Sequence, residues 1–200
     1  VEALQDISVQ VSATLVEQPE AYLQLQYHVT LPTESLAAQF NWSRWQSEQF
    51  NFQDYLWEQT CFECFLTGSL ISSRSSEDSD ELSNTNKATA YIEITASPNG
   101  QYALYKFDGY RSPATLPPEP LMLASGEVRA TIEWVDYNHN PAQPKDSNIS
   151  THQSYSYQRS FKVLISSLTS LHYKADCSTD DFINDIHPSV ILSFPAPPLY

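Results

Sequence analysis

Residues 91–107, YIEITASPNGQYALYKF, contain two short alternating segments separated by the tetrapeptide SPNG. Ile92 and Ile94 alternate with polar residues, which is the period of a strand that buries one face. Proline favours the second position of a type I turn and glycine the fourth, so the tetrapeptide predicts the turn of a β-hairpin. A four-residue loop of this kind pairs Ile92 with Tyr105 and therefore matches apolar to apolar residues.

The same register predicts a polar face on the hairpin. Tyr91, Glu93 and Lys106 share that face, with Lys106 within diagonal reach of Glu93. The stretch 55–66, YLWEQTCFECFL, supplies a further strand in which Glu63 occupies one face. If this strand neighbours the hairpin, both glutamates lie on one side of the sheet, where they form either a solvated surface or part of a ligand site.

The C-x-x-C spacing within the same stretch suggests a redox or metal site. Cys61 and Cys64 are three residues apart, so a strand directs them to opposite faces of the sheet. A thioredoxin-like pair needs a following helix, and a structural zinc site needs four ligands, whereas only Cys177 remains elsewhere. We therefore interpret both residues as small buried thiols.

Other segments have strand-like alternation, and no segment has a long helical period. These segments are DISVQVSA, YLQLQYHV, EVRATIEWV, YSYQRSFKVLI and SVILSF, with an irregularity in YSYQRSFKVLI and a short helix expected near 34–38. About eight short strands indicate an all-β protein, built as a two-sheet antiparallel sandwich.

Composition and motif content argue against several classes of function. Four glycines and the absence of a G-x-G-x-x-G, P-loop or G-x-S-x-G motif argue against dinucleotide, nucleoside triphosphate and α/β-hydrolase sites. A net charge of −14 disfavours nucleic-acid and anionic-membrane partners. No basic segment followed by an apolar stretch opens the chain, which favours a cytoplasmic location.

We expect one domain over residues 1–200, because strands on both sides of each polar segment are needed for the sheets. The segment 72–86 is rich in serine and acidic residues and has almost nothing to bury, which predicts a mobile loop, and the segment 136–153 is expected to be a second one. Cleavage within 72–86 is the expected first event in limited proteolysis, because that segment offers little to bury.

The run LWEQTCFECFL, followed by YIEITASPNGQYALYKFDGYR, resembles the bacterial DOMON-like domains related to family 9 carbohydrate-binding modules. The family pattern is a tryptophan-led LW..TCFE.F strand before an EF.FSP.G.W..Y.FDGYR hairpin, and the strong match covers about a quarter of this chain. The sequence departs from the pattern at Ile94 and Ala96, where the family has phenylalanine. The matching positions are Leu56, Trp57, residues 60–63, Phe65, Glu93, Ser97, Pro98, Gly100, Tyr105 and residues 107–111.

The resemblance implies a jelly-roll sandwich that binds a ligand without catalysis, with sugars or haem as the known ligands of the wider superfamily. We therefore predict a carbohydrate-type binding module with no cofactor. Haem needs axial methionine and histidine, and Met122 is the chain's one methionine. Nothing in the sequence supports a calcium site. A haem-binding domain, a protein-interaction module and a carboxylate-based glycosidase are the alternatives.

The predicted ligand-binding residues combine aromatic rings with charged groups. Glu63 shares a strand with buried-type residues, so its carboxylate needs a partner, which we expect to be Lys106 or Arg111. The pair faces a pocket lined by Trp57 and Tyr91. The predicted site therefore consists of Trp57, Glu63, Tyr91, Glu93, Lys106 and Arg111.

Overall fold

A computed structural model shows two antiparallel four-stranded sheets and, among the residues that it describes, only two short α-helices, which confirms the all-β two-sheet sandwich. The structure describes residues 6–45, 50–68, 89–110, 112, 114–123, 125–135, 155–168 and 183–194. The loops predicted at 72–86 and 136–153 lie outside these ranges, as do Arg111 and Cys177.

Sheet A has the strand order β1-β2-β7-β6, and sheet B the order β5-β4-β3-β8. The strands are β1 (Ser8–Val16), β2 (Tyr22–Leu31), β3 (Cys61–Thr67), β4 (Tyr91–Ala96), β5 (Tyr102–Phe107), β6 (Glu133–Trp134), β7 (Tyr155–Leu164) and β8 (Asp185–Ile191). Helix α1 (Glu34–Gln39) forms where a short helix was predicted, and α2 (Ile165–Leu168) follows β7 directly. None of the helices in the described ranges is long and apolar enough to span a bilayer.

The alternation in β2 produces the inner face of sheet A. Its odd-numbered residues from Leu23 to Leu31 are fully buried, and the even-numbered ones are half-buried on the outer face. The irregularity predicted in β7 does not interrupt the strand, because Arg159 takes an inward position and is 1% exposed. Its guanidinium Nε donates to the Pro98 carbonyl at 3.0 Å, and it lies 5.3 Å from the Trp42 ring centroid. A charged side chain therefore occupies one of the inward-facing positions of β7, which are otherwise taken by apolar and aromatic residues.

The core lies between the two sheets. The Tyr27 ring stacks on Phe62 with centroids 4.7 Å apart, and the Tyr27 hydroxyl donates to the Glu63 carbonyl at 2.6 Å. At the far end, the Trp134 indole donates to the Gly100 carbonyl at 3.1 Å. These contacts place β2 over β3, and β6 over the β4–β5 hairpin.

The SPNG turn forms where it was predicted, but the predicted register is wrong by one residue. The Gly100 amide donates to the Ser97 carbonyl at 3.0 Å, which closes the turn. The Ser97 amide then donates to the Gln101 carbonyl, and Gly100 has a φ of 110°. A type I turn followed by a glycine at positive φ is a three-residue hairpin loop with a bulge. Because Ser97 is therefore opposite Gln101 and not opposite Gly100, Ile92 pairs with Lys106 and not with Tyr105.

Candidate functional site

The outer face of sheet B carries the candidate site. One row across the sheet consists of Tyr105, Glu93, Phe65 and His187, because these residues are cross-strand partners. A neighbouring row contains Phe107, Tyr91, Thr67 and Asp185. Cross-strand partners project from the same face of a sheet, so aromatic and carboxyl groups are interleaved on this surface.

An open pocket of about 690 Å³ lies over the β4–β5 side of this face. Glu93 is the carboxyl group among the lining residues, and the lining is otherwise mainly aromatic or apolar. The lining residues are Trp57, Phe65, Tyr91, Glu93, Phe107, Tyr110, Ala114, Thr115, Leu116 and Pro118. The strands supply its floor, and Trp57, Tyr110 and residues 114–116 and 118 supply its walls. A concave, mainly apolar pocket with few polar groups is typical of a small-molecule site.

Ring contacts fix the aromatic floor. Tyr91 and Phe107 stack with centroids 4.6 Å apart and an interplanar angle of 12°. Phe65 contacts Tyr91 at a centroid distance of 6.1 Å. Because Tyr91 and Phe107 are direct cross-strand partners, the observed register is what brings the two rings together. The rings are thus held in place by the sheet and not by a loop.

Trp57 reaches the pocket from a single 3₁₀ turn, Leu56–Glu58. Leu56 is buried and anchors the turn, while Trp57 is half-buried and packs edge-on against Tyr105 at 6.3 Å. Tyr55 precedes the turn at a φ of 63°, a left-handed conformation uncommon for a side chain of this size. Its ring packs against Trp57 at 5.3 Å.

The segment that precedes Trp57 is hydrogen-bonded to the edge strand β5. The Gln53 amide donates to the Tyr102 carbonyl at 2.9 Å, and the Tyr102 amide donates to the Asn51 carbonyl at 3.1 Å. The Tyr105 hydroxyl donates to Asp54 Oδ1 at 2.8 Å. These bonds hold residues 51–54 against β5, and Tyr105 is fully buried although it faces away from the main core.

Glu93 and Glu63 are diagonal neighbours on this face, because Glu63 pairs with Thr95, two residues beyond Glu93. Burial raises the pKa of Glu93 to about 7, the negative charge of Glu63 adds to this rise, and a hydrogen bond from Thr95 opposes it. Burial also raises the pKa of Glu63, and a hydrogen bond with Ser189 opposes that rise. Near neutral pH, Glu93 is therefore present in both protonated and ionised forms, and it can donate or accept a hydrogen bond.

The predicted pairing of Glu63 with Lys106 is not present. Because the true register pairs Lys106 with Ile92, whose side chain is in the core, Lys106 projects from the opposite face of the sheet. Within the described ranges, neither Glu63 nor Glu93 forms a salt bridge. Arg111, the other predicted partner, lies outside the described residues.

The structure brings together part of the predicted site. Trp57, Tyr91 and Glu93 line the pocket, whereas Glu63 lies beside Glu93 on the same face without lining it. The prediction missed Phe107 and Tyr110. The one-residue register error hid Phe107, since the assumed pairing gave Tyr91 a different partner. Tyr110 comes shortly after the hairpin in the sequence, and this position was the signal that could have placed it near the site.

The cysteines are buried and lie on opposite faces, as the strand period predicts. Cys64 belongs to the main core, whereas Cys61 is buried on the other side of β3. Burial raises the pKa of both thiols, to about 12 for Cys64. Among the described residues, no group of three or more histidine, cysteine and acidic side chains is placed to hold a metal ion.

The haem alternative requires axial ligands near the pocket. Met122 is half-buried next to Arg129, and neither it nor the two described histidines, His28 and His187, line the pocket. The described part of the pocket therefore offers a carboxyl group and aromatic rings, and no axial ligand of the haem type.

Comparison with known proteins leaves the chain without an assigned family: no protein-family model matches it, and neither does any curated protein or solved structure.

Proposed function

We propose that this protein is a non-catalytic binding module whose pocket on sheet B holds a carbohydrate or a similar hydroxylated ligand. The observation that carries the proposal is the pocket itself, where the described lining residues combine aromatic rings with one carboxyl group, that of Glu93. Its volume of about 690 Å³ is within the range of about 300–1,000 Å³ that is usual for small-molecule sites.

The chemistry of the lining fits a sugar. The C–H faces of a pyranose ring are apolar and can pack on the aromatic side chains, while the hydroxyl groups need hydrogen-bonding partners. Glu93 can accept a hydrogen bond when ionised and donate one when protonated. Tyr110 is 79% exposed at the pocket wall, so its side chain is accessible to an incoming ligand.

The resemblance to DOMON-like domains supports the same proposal. The residues that carry it include Trp57, Glu93 and Phe107, all of which line the pocket. Glycosidase chemistry, by contrast, needs two carboxyl groups on either side of the scissile bond. Glu63 and Glu93 project from one face of the sheet and only Glu93 lines the pocket, which favours binding over hydrolysis.

The test is a glycan array followed by isothermal titration calorimetry on the sugars that bind. Tyr110→Ala removes an exposed ring and should leave the fold intact. Because this ring lines the pocket, we expect at least about a tenfold loss of affinity, equivalent to about 1.4 kcal/mol. Glu93→Gln should also weaken binding, since it exchanges an ionisable group for a neutral amide. Reducing-sugar release from the same ligands is measured in parallel.

Phe50→Ala is the matched control, because Phe50 is an exposed aromatic residue that contacts Tyr102 and does not line the pocket. It should bind sugars as the unmodified protein does. The proposal is refuted if no sugar binds, or if Tyr110→Ala and Phe50→Ala have equal effects. Sugar release that Glu93→Gln abolishes would instead identify an enzyme.

A further inference from the structure

The four outer strands of the sandwich differ in how their free edges are protected. Strand β6 has only two residues, and β5 is bridged on its outer side by Phe52 and Pro120. Strand β8 contains Pro188, which has no amide hydrogen to donate, and begins with a charged residue, Asp185. Short length, covering segments, proline and charge are the usual means of preventing an edge strand from pairing with another chain.

Strand β1 shows none of these protections among the residues that the structure describes. It is nine residues long, SVQVSATLV, and contains no charged residue, proline or glycine, although the whole chain carries 24 acidic residues. It pairs with β2 over its full length. In the described part of the chain, no other segment forms a backbone hydrogen bond with β1. Six of its nine residues are exposed.

The core is also less well covered at this side of the sandwich. The inward positions of β1 include Val9, Val11 and Leu15, because they pair with buried residues of β2. Val9 is 39% exposed, and the other two are only partly buried. At the opposite side, Leu104 of β5 and Trp134 of β6 are buried in equivalent inward positions. Apolar surface therefore remains accessible along the β1 edge.

We propose that the β1 edge is a self-association surface, at which a second copy of this chain pairs antiparallel through its own β1. A two-fold axis through Ser12 is the register in which all nine residues find partners. It places Val9 opposite Leu15 and Val11 opposite Ala13, so apolar residues meet on the inner face. On the outer face, Gln10 meets Thr14 and Ser12 meets its own copy, while Ser8 meets Val16 at the two ends. The two copies of sheet A thereby form one continuous eight-stranded sheet.

Symmetry favours a second copy over an unrelated peptide. Two chains of net charge −14 repel each other, and β1 lets them approach along a segment that contributes no charge. A two-fold interface uses the same surface on both partners, and an antiparallel pairing through Ser12 meets this condition. Because the remaining repulsion is screened by salt, association should strengthen as the ionic strength rises.

The test is the molar mass in solution, measured by sedimentation velocity over a range of protein and salt concentrations. We expect a monomer–dimer equilibrium that shifts toward dimer with added salt. Ser12→Lys places two like charges directly opposite each other at the axis and should weaken the dimer about tenfold or more. Ser12 is exposed, so the fold should tolerate this change, as circular dichroism and thermal unfolding would verify.

Two further samples make the result specific. An equimolar mixture of Ser12→Lys and Ser12→Glu should restore dimers, now heterodimers, because opposite charges meet at the axis. Gln26→Lys is the matched control, since Gln26 pairs with Ser12 on the same face but lies one strand further from the axis. A chain that stays monomeric at all concentrations overturns the proposal. A dimer that Ser12→Lys does not weaken, or that Gln26→Lys weakens equally, overturns it as well.

Discussion

The raised pKa of Glu93 predicts that its ionisation destabilises the fold. A carboxyl group whose pKa is higher in the folded than in the unfolded state favours folding below its unfolded pKa, and this contribution is lost as the pH rises through the folded pKa. For Glu93 the interval runs from the ordinary value of 4.5 to about 7. The protein should therefore lose stability, as far as this group is concerned, between about pH 4.5 and pH 7.5.

The substitution Glu93→Gln should remove this loss. A difference between 4.5 and about 7 corresponds to at most about 3 kcal/mol, at about 1.4 kcal/mol per pH unit. The open pocket admits water and screens the charge, so a gain of about 1–2 kcal/mol in the free energy of unfolding at pH 8 is expected. At pH 4 the carboxyl group is mainly protonated in both states, and the stability of the variant should nearly match that of the parent protein.

Urea unfolding of both proteins at pH 4, 6 and 8 measures this difference directly. Glu127→Gln, at an exposed residue outside the pocket, controls for the change in net charge. A Glu93→Gln variant that is no more stable than the parent at pH 8 would show that the folded state does not hold this carboxyl group away from water. A gain of equal size in Glu127→Gln would attribute the effect to net charge alone.

Three further predictions concern the same sheet. Glu63→Gln should lower the pKa of Glu93 by removing a neighbouring negative charge, as carboxyl carbon shifts in an NMR titration would report; an unchanged pKa contradicts this. Gly100→Ala should lower the free energy of unfolding by about 1–3 kcal/mol, because its φ of 110° strains any other residue; a neutral result would exclude the bulged turn. Cys61 and Cys64 should resist alkylation in the folded protein at pH 7 and react in urea, since both thiols are buried; peptide mapping after rapid native labelling would detect the opposite.

The sequence alone was sufficient for the class of the fold and for the faces of most strands. A strand alternates its side chains whatever its neighbours are, so the two-residue period of β2 identified its buried face directly. The same period placed Cys61 and Cys64 on opposite faces and Glu63 on the same face as Phe65. These are local properties of an extended backbone, and they need no knowledge of which strands pair.

The tertiary structure decided the strand order, the register and therefore the site. The turn with Gly100 at positive φ shifts the β4–β5 register by one residue, so that Tyr91 pairs with Phe107 and not with Lys106. A shift of one residue reverses the face of every side chain along the strand. The burial of Arg159 likewise depends on the Pro98 carbonyl that the second sheet presents to it. Pairings between distant segments are set by packing across the sandwich, and a period read along one segment contains no information about them.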